Sequence, residues 1–170
     1  YINNGSNING RRTGAKYGAN SIFRALRGNT NGAQDSFLSG IVRIMEKYPW
    51  CDGIDIDLER GDGYSTHAES TAMFRNIYNT VKAYDPAKHM NICLPGMTSV
   101  NGSVGGENWC VYGDLDAYCD TASIMSYGMA WAGSAPGPVS PRSWPEGIYD
   151  YATQVRDPAK NFLGMQATGW

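Results

Sequence analysis

The sequence predicts an α/β chain built on a parallel sheet, and three observations carry that expectation. Short apolar runs suited to strands alternate with longer stretches whose apolar residues recur at helical spacing. The run Asp52-Gly53-Ile54-Asp55-Ile56-Asp57-Leu58-Glu59 alternates acid and aliphatic with period two, as a strand does. The overall order of strand, helix, strand, helix, strand, strand, helix, strand is that of crossover-connected parallel strands. A doubly wound sheet and a (β/α)8 barrel both fit this order. No Gly-x-Gly-x-x-Gly follows a strand, so a nucleotide-binding fold has no support.

Taken in order, residues 1–20 are polar and rich in Gly and Asn, and read as a loop or entry segment. Residues 21–26 form a short apolar run, a strand with Gly28-Asn29-Thr30-Asn31-Gly32 as its exit loop. Asp35 is placed to cap a helix. Phe37, Leu38, Ile41, Val42, Ile44, Met45 and Tyr48 follow at helical spacing, and Pro49 stops them. After the acidic strand and the loop Gly61-Asp62-Gly63-Tyr64, a second helix is predicted over 67–84. Met73, Phe74, Ile77, Tyr78, Val81 and Tyr84 form its apolar stripe, and Asp85-Pro86 ends it. Residues 91–95 read as a strand, 109–118 as a loop or short helix, and 122–127 as a strand. The long loop 128–142 carries Trp131. Ser143-Trp144-Pro145-Glu146 has the form of a capping box opening a helix to about Val155. Residues 161–168 read as the last strand.

Composition narrows the function classes. The chain has 170 residues, a net charge of −2 and 42% hydrophobic residues, enough for one domain with a core. That charge gives no reason to expect nucleic acid or an anionic membrane as partner. No apolar run reaches membrane-spanning length. The chain starts at Tyr1 with no signal-peptide pattern, and so reads as a piece of a longer protein. The four cysteines have no zinc spacing, and neither His67 nor His89 has a partner suggesting a metal. Cys110 and Cys119 are placed either to pair within one loop region or to stay free. Cys51 and Cys93 read as small buried hydrophobes. Eleven Tyr and five Trp, with Gly and Asn in the loops, suit carbohydrate stacking as well as core packing.

The acidic strand carries the chemistry. Ile54, Ile56 and Leu58 fall on one face, ready to pack on helices. Asp55, Asp57 and Glu59 fall on the other, spaced about 7 Å apart along the strand. Anions crowded this way repel, which favours holding a proton among them, as an acid catalyst near neutral pH must. The bland alternatives are a divalent-cation site and an exposed edge strand. Cation loops place Asn, Gly and carbonyls between their acids rather than Ile and Leu, and an edge strand has no need of an aliphatic back face.

This run resembles the DxxDxDxE signature of family-18 glycoside hydrolases, the chitinases and endo-β-N-acetylglucosaminidases, at Asp52, Asp55, Asp57 and Glu59. The resemblance favours the (β/α)8 TIM barrel over the doubly wound sheet, with the signature on the fourth barrel strand. Residues 21–29 would then be the third strand, 91–96 the fifth, 122–127 the sixth and 161–168 the seventh. The single domain 1–170 is thus expected to hold strands three to seven of an incomplete barrel, completed by other chain.

The resemblance also implies roles. Three acids on one strand do not supply the second carboxylate of an ordinary glycosidase across the sugar ring. This matches the substrate-assisted members, in which the sugar's 2-acetamido group attacks the anomeric carbon with net retention. Glu59 would be the general acid and then base. Asp57 would hold the acetamide N–H and stabilise the oxazolinium. Asp55 would share a proton with Asp57, the three titrating as a coupled set. Asp52, on the helix-facing side, would be structural. Ser123-Ile124-Met125-Ser126-Tyr127-Gly128 resembles the family's MxYD motif, so Tyr127 would donate to the acetamide carbonyl and Met125 would line the sugar site. Gly128 stands where the family has Asp. Gln166 and Thr168 replace the Pro and Tyr of the seventh strand, and the third strand's SxGG is degraded to Arg27-Gly28-Asn29. Trp131 and Trp170 are the sugar-stacking candidates. Trp144 reads as packing and Trp50 as core.

The implied function is a cofactor-free and metal-free glycosidase cutting β-1,4 links next to N-acetylglucosamine in chitin or peptidoglycan. It would act outside the cell, at a cell wall or in a virion, with other domains or subunits of a larger protein as partners. The alternative is a non-catalytic sugar-binding or structural barrel in a larger assembly such as a phage tail.

Overall fold

The computed structural model of the protein describes residues 2–3, 7–8, 11–12, 26, 29–58, 67–100, 109–131 and 133–166. The described elements are β1 (Ile2–Asn3), β2 (Asn7–Ile8), β3 (Arg11–Arg12), α1 (Ala33–Lys47), β4 (Gly53–Asp57), α2 (His67–Tyr84), β5 (His89–Pro95), α3 (Tyr112–Leu115), β6 (Thr121–Met125), α4 (Ser143–Val155) and β7 (Asn161–Gly164). Five strands form one sheet in the order β1-β4-β5-β6-β7, parallel at every pairing. β2 and β3 make a separate antiparallel pair. This is an arc of a β/α barrel, as the sequence predicts.

Period-two alternation splits each central strand between two environments. Ile54, Ile56, Met90, Ile92, Leu94, Ala122 and Ile124 point outward and are buried under the helices. Ile41 and Met45 of α1, Met73, Phe74, Ile77 and Val81 of α2, and Trp144, Ile148 and Ala152 of α4 meet them there. Fully burying one such aliphatic side chain contributes about 1.5–3 kcal/mol. Trp109 stacks on Phe74 with ring centroids 5.4 Å apart and extends this core towards α3. At the foot of β4, a Cβ on Gly53 would lie 1.9 Å from the His89 carbonyl oxygen, so the close approach of β4 and β5 requires glycine there.

The N-terminal ends of the strands are tied together by Asp120. Its carboxylate accepts the Met90 N–H at 2.7 Å and pairs with Lys82 of α2 at 2.7 Å. Burial opposes ionisation of this group. The Lys82 and Met90 hydrogen bonds and the positive charge of Lys82 outweigh it, with His89 close by, and hold the carboxyl below its usual range. A second polar tie is Arg156, which is buried. It donates to Asn161 Oδ1 (2.9 Å), the Tyr112 carbonyl (3.1 Å) and Cys119 Sγ (3.3 Å), joining the start of β7 to α3. Tyr112 in turn donates to the Pro95 carbonyl and accepts the Met97 N–H. Burial pushes its phenol up strongly, so it stays neutral and donating.

Several sequence expectations are corrected. The neighbour of β4 is Ile2–Asn3, not residues 21–29. Leu26 is helical and Asn29 lies in a turn at φ 48°, while residues 21–25 are outside the described set. A two-residue strand leaves no hydrophobic run to read. Asp35 does not cap α1. The Asn29 side chain does so by accepting the N–H groups of Gln34 (2.9 Å) and Asp35 (3.4 Å), with Asp35 in the first turn. The capping box at Ser143 is not made, because Ser143 is already helical and Glu146 pairs with Arg142 at 2.7 Å. Trp50 is 74% exposed, set edge-on to Tyr48 in the turn that enters β4. Cys51 in the same turn is exposed rather than buried. Cys110 and Cys119 are both buried, and no disulfide joins them. Cys119 donates to the Leu115 carbonyl and accepts from Arg156 instead. The sixth and seventh strands end earlier than expected, at Met125 and Gly164.

Candidate active site

Because β4, β5 and β6 run parallel, their side chains on the unburied face form rows. Asp55 on β4 stands beside Asn91 on β5, which pairs in turn with Thr121 on β6. One step further along, Cys93 pairs with Ser123, and Pro95 with Met125. The rows are joined by hydrogen bonds. Asn91 Nδ2 donates to Asp55 Oδ1 at 2.6 Å and to Ser123 Oγ at 3.1 Å. Thr121 Oγ1 donates to Asn91 Oδ1 at 2.8 Å, and the Cys93 thiol lies 3.6 Å from Asp55 Oδ1. Asp57, two residues beyond Asp55 on the same face, is buried at 4% exposure in the last position of β4. Period two therefore brings both carboxylates to one surface, at the end of the strand where barrel sites form.

A turn at the end of β6 sets the next part of the site. The Ser126 N–H donates back to the Ile124 carbonyl at 2.9 Å, which breaks the alternation after Met125. Ser126 is fully buried. Its hydroxyl donates to the Gly164 carbonyl at 2.6 Å, and its own carbonyl accepts from Ser140 Oγ at 2.6 Å. This locks the turn to β7 and to the following loop. Tyr127 therefore lies past the strand rather than in it, which corrects the expected strand position. Its ring rests against the end of β7, so that a Cβ on Gly164 would sit 3.0 Å from Tyr127 Cε1. Gly128 follows with φ 78° and open space where a side chain would stand. Farther along the same loop Trp131 is 55% exposed. Its backbone is bonded to Ser134 at both N–H and carbonyl, with Gly133 against its ring.

Of the predicted site residues, Asp55, Asp57 and Met125 lie on the inward strand face, and Tyr127 and Trp131 in the loop leaving that face's C-terminal end. Glu59 and Trp170 lie outside the described residues. Asp52 is exposed just before β4, where its carbonyl accepts the His89 N–H. Sequence reasoning missed Asn91, Thr121 and the role of Cys93, taken there as a buried hydrophobe. The signal was present in His89-Met90-Asn91-Ile92-Cys93-Leu94, which alternates polar and apolar like β4. Among the described residues no group of three His, Cys, Asp or Glu could hold a metal ion, and no helix is long and apolar enough to cross a membrane.

No family model and no curated protein matches the sequence. Solved structures do. A chitinase from Chromobacterium violaceum matches at TM-score 0.73 and 20% identity, over 94% of this chain and 47% of that one. The spore cortex-lytic enzyme SleL of Bacillus cereus matches at 0.74 and 22%, over 94% and 34%. A family GH18 chitinase from Cycas revoluta, solved in complex with allosamidin, matches at 0.65 and 14%, over 89% and 46%. The chain has the fold of the GH18 chitinases. It spans about half, or less, of the length of these GH18-type structures. Their strands form a TIM barrel, and the five-stranded arc described above is the corresponding part of it.

Proposed function

We propose that this chain carries the acid cluster of a retaining glycoside hydrolase that cuts β-1,4 bonds next to N-acetylglucosamine, in chitin or peptidoglycan. The observation that carries the reading is the placement of Asp55 and Asp57 on the inward face of β4, in a fold shared with chitinases and a cortex-lytic enzyme. Glu59 protonates the leaving oxygen and later takes a proton from water. Asp57 holds the acetamide N–H and balances the positive oxazolinium, so the acetamide oxygen serves as the nucleophile. Asp55 shares a proton with Asp57. Tyr127 donates to the acetamide carbonyl and aligns it for attack. Met125, Trp131 and Trp170 contact the sugar. No metal or cofactor enters the scheme.

Gly128 favours a second reading, a barrel that binds these sugars without cutting them, because the motif's Asp is missing there. The two readings separate in one assay. The full-length protein is incubated with chitin oligomers and with peptidoglycan, beside Glu59→Gln. Catalysis predicts cleavage with the β-anomer formed first, and a loss of about 10²-fold or more in the variant. Binding of both polymers by a folded protein that cuts neither would establish the second reading.

A further inference from the structure

The hydrogen bonds beneath Asp55 have a single direction. Thr121 has one hydroxyl proton, and it is committed to Asn91 Oδ1 at 2.8 Å. Thr121 Oγ1 itself lies 2.8 Å from His89 Nε2, so the imidazole is the donor and carries its proton on Nε2. Asn91 then has its carbonyl occupied and both amide protons directed at Asp55 Oδ1 and Ser123 Oγ. The amide does not turn over, because that would set its carbonyl oxygen against the Asp55 carboxylate, acceptor against acceptor. The chain runs His89 to Thr121 to Asn91 to Asp55. Its last link, at 2.6 Å, is a short charge-assisted bond.

We infer that Asn91 is a positioning residue for Asp55. It holds the carboxylate in one orientation and keeps the oxygen it faces as a permanent acceptor. A proton on Asp55 is thereby confined to the other oxygen, where the proposed chemistry shares it with Asp57. The role in turnover rests on the function proposed above. Among the described residues, the ionisable groups around Asp55 are Asp57 on its own strand, Cys93 on β5 and, through Thr121, His89. β6 brings Thr121, Ser123 and Met125 to this face, and β1 consists of Ile2 and Asn3, none of them ionisable.

The test uses the full-length protein with a fluorogenic N,N′-diacetylchitobioside. Asn91→Leu is expected to lower kcat about ten-fold or more with KM within two-fold, because the carboxylate loses its fixed orientation. Thr121→Val preserves shape but frees the Asn91 carbonyl, and is expected to lower kcat about three-fold. Asn91→Asp sets an anion against Asp55 and should move the acid limb of the kcat/KM profile up by about one pH unit, which a purely structural role would not do. Folded Asn91→Leu with wild-type kcat, or Asn91→Asp with an unmoved acid limb, overturns the inference. If Asn91→Leu does not fold, the other two variants decide. A wild type silent on both chitin and peptidoglycan overturns the functional reading instead. The hydrogen-bond chain is then judged by ¹⁵N NMR of His89: an Nε2–H tautomer lost in Thr121→Val supports it, and an Nδ1–H tautomer refutes it.

Discussion

The two faces of strands β4, β5 and β6 alternate along the same seventeen backbone positions, yet they are held by different forces. Outward, Ile56, Met90, Ile92, Leu94, Ala122 and Ile124 are fully buried and contribute through area removed from water. Inward, Asp55, Asn91, Cys93, Thr121 and Ser123 are partly exposed and linked by directional hydrogen bonds. The apolar face tolerates hydrophobic residues of the right volume. The polar face depends on which atom donates to which. Stability is thus concentrated on one side of the sheet and the proposed chemistry on the other, and substitutions on the two sides should separate the two properties.

The largest loss of stability is expected on the outward face. Phe74→Ala removes the ring on which Trp109 stacks and should cost about 3–5 kcal/mol, and Ile92→Ala about 2–5 kcal/mol, by urea denaturation. On the inward face, Asp57→Asn should leave unfolding free energy within about 1 kcal/mol of wild type, since Asn keeps the side chain's size and removes the cost of burying a charge. Its hydrolysis should fall about 10²-fold, as for loss of a group that stabilises transition-state charge. Equal losses of stability and activity in Asp57→Asn would erase the distinction between the faces.

A smaller effect is expected where the faces meet at the end of β7. Gly164→Val would press on the Tyr127 ring and the Ile124 carbonyl, so kcat should drop about ten-fold with little change in the midpoint of thermal unfolding. The smallest effect lies at the foot of the sheet. The carboxyl of Asp120 is held below its ordinary range, so its contribution is complete above the unfolded carboxylate value of about 3.9 and fades as pH falls through the lower folded value. Asp120→Asn should cost about 1 kcal/mol or more at neutral pH and flatten the stability profile below about pH 4. An unchanged acid slope would show that the pairing with Lys82 contributes little.

What the sequence disclosed follows the same division. α2 was legible to its end residues, because Met73, Phe74, Ile77 and Val81 repeat with helical spacing and Asp85-Pro86 stops them. β4 was legible because acids and aliphatics alternate without interruption. β1 was not, since two residues pairing with Ile56 and Asp57 carry no pattern of their own. Trp50 misled because hydrophobicity next to a strand does not specify burial, and the turn at Pro49 sends it outward. At the site, the paired acids were readable from spacing alone. The Asn91 bridge was not, since it depends on the register of three strands that only the folded sheet sets. Tyr127 was singled out by its motif, but its place past the strand depends on Ser126 bonding back to Ile124.

The most direct test of the central claim pairs two readings on one variant. Turnover of fluorogenic N,N′-diacetylchitobioside and unfolding free energy are measured for the full-length wild type and Asp57→Asn. The account predicts a turning-over wild type and a variant about 10²-fold slower at nearly unchanged stability. A variant that keeps its activity, or a folded wild type with none on this substrate or on peptidoglycan, would contradict it.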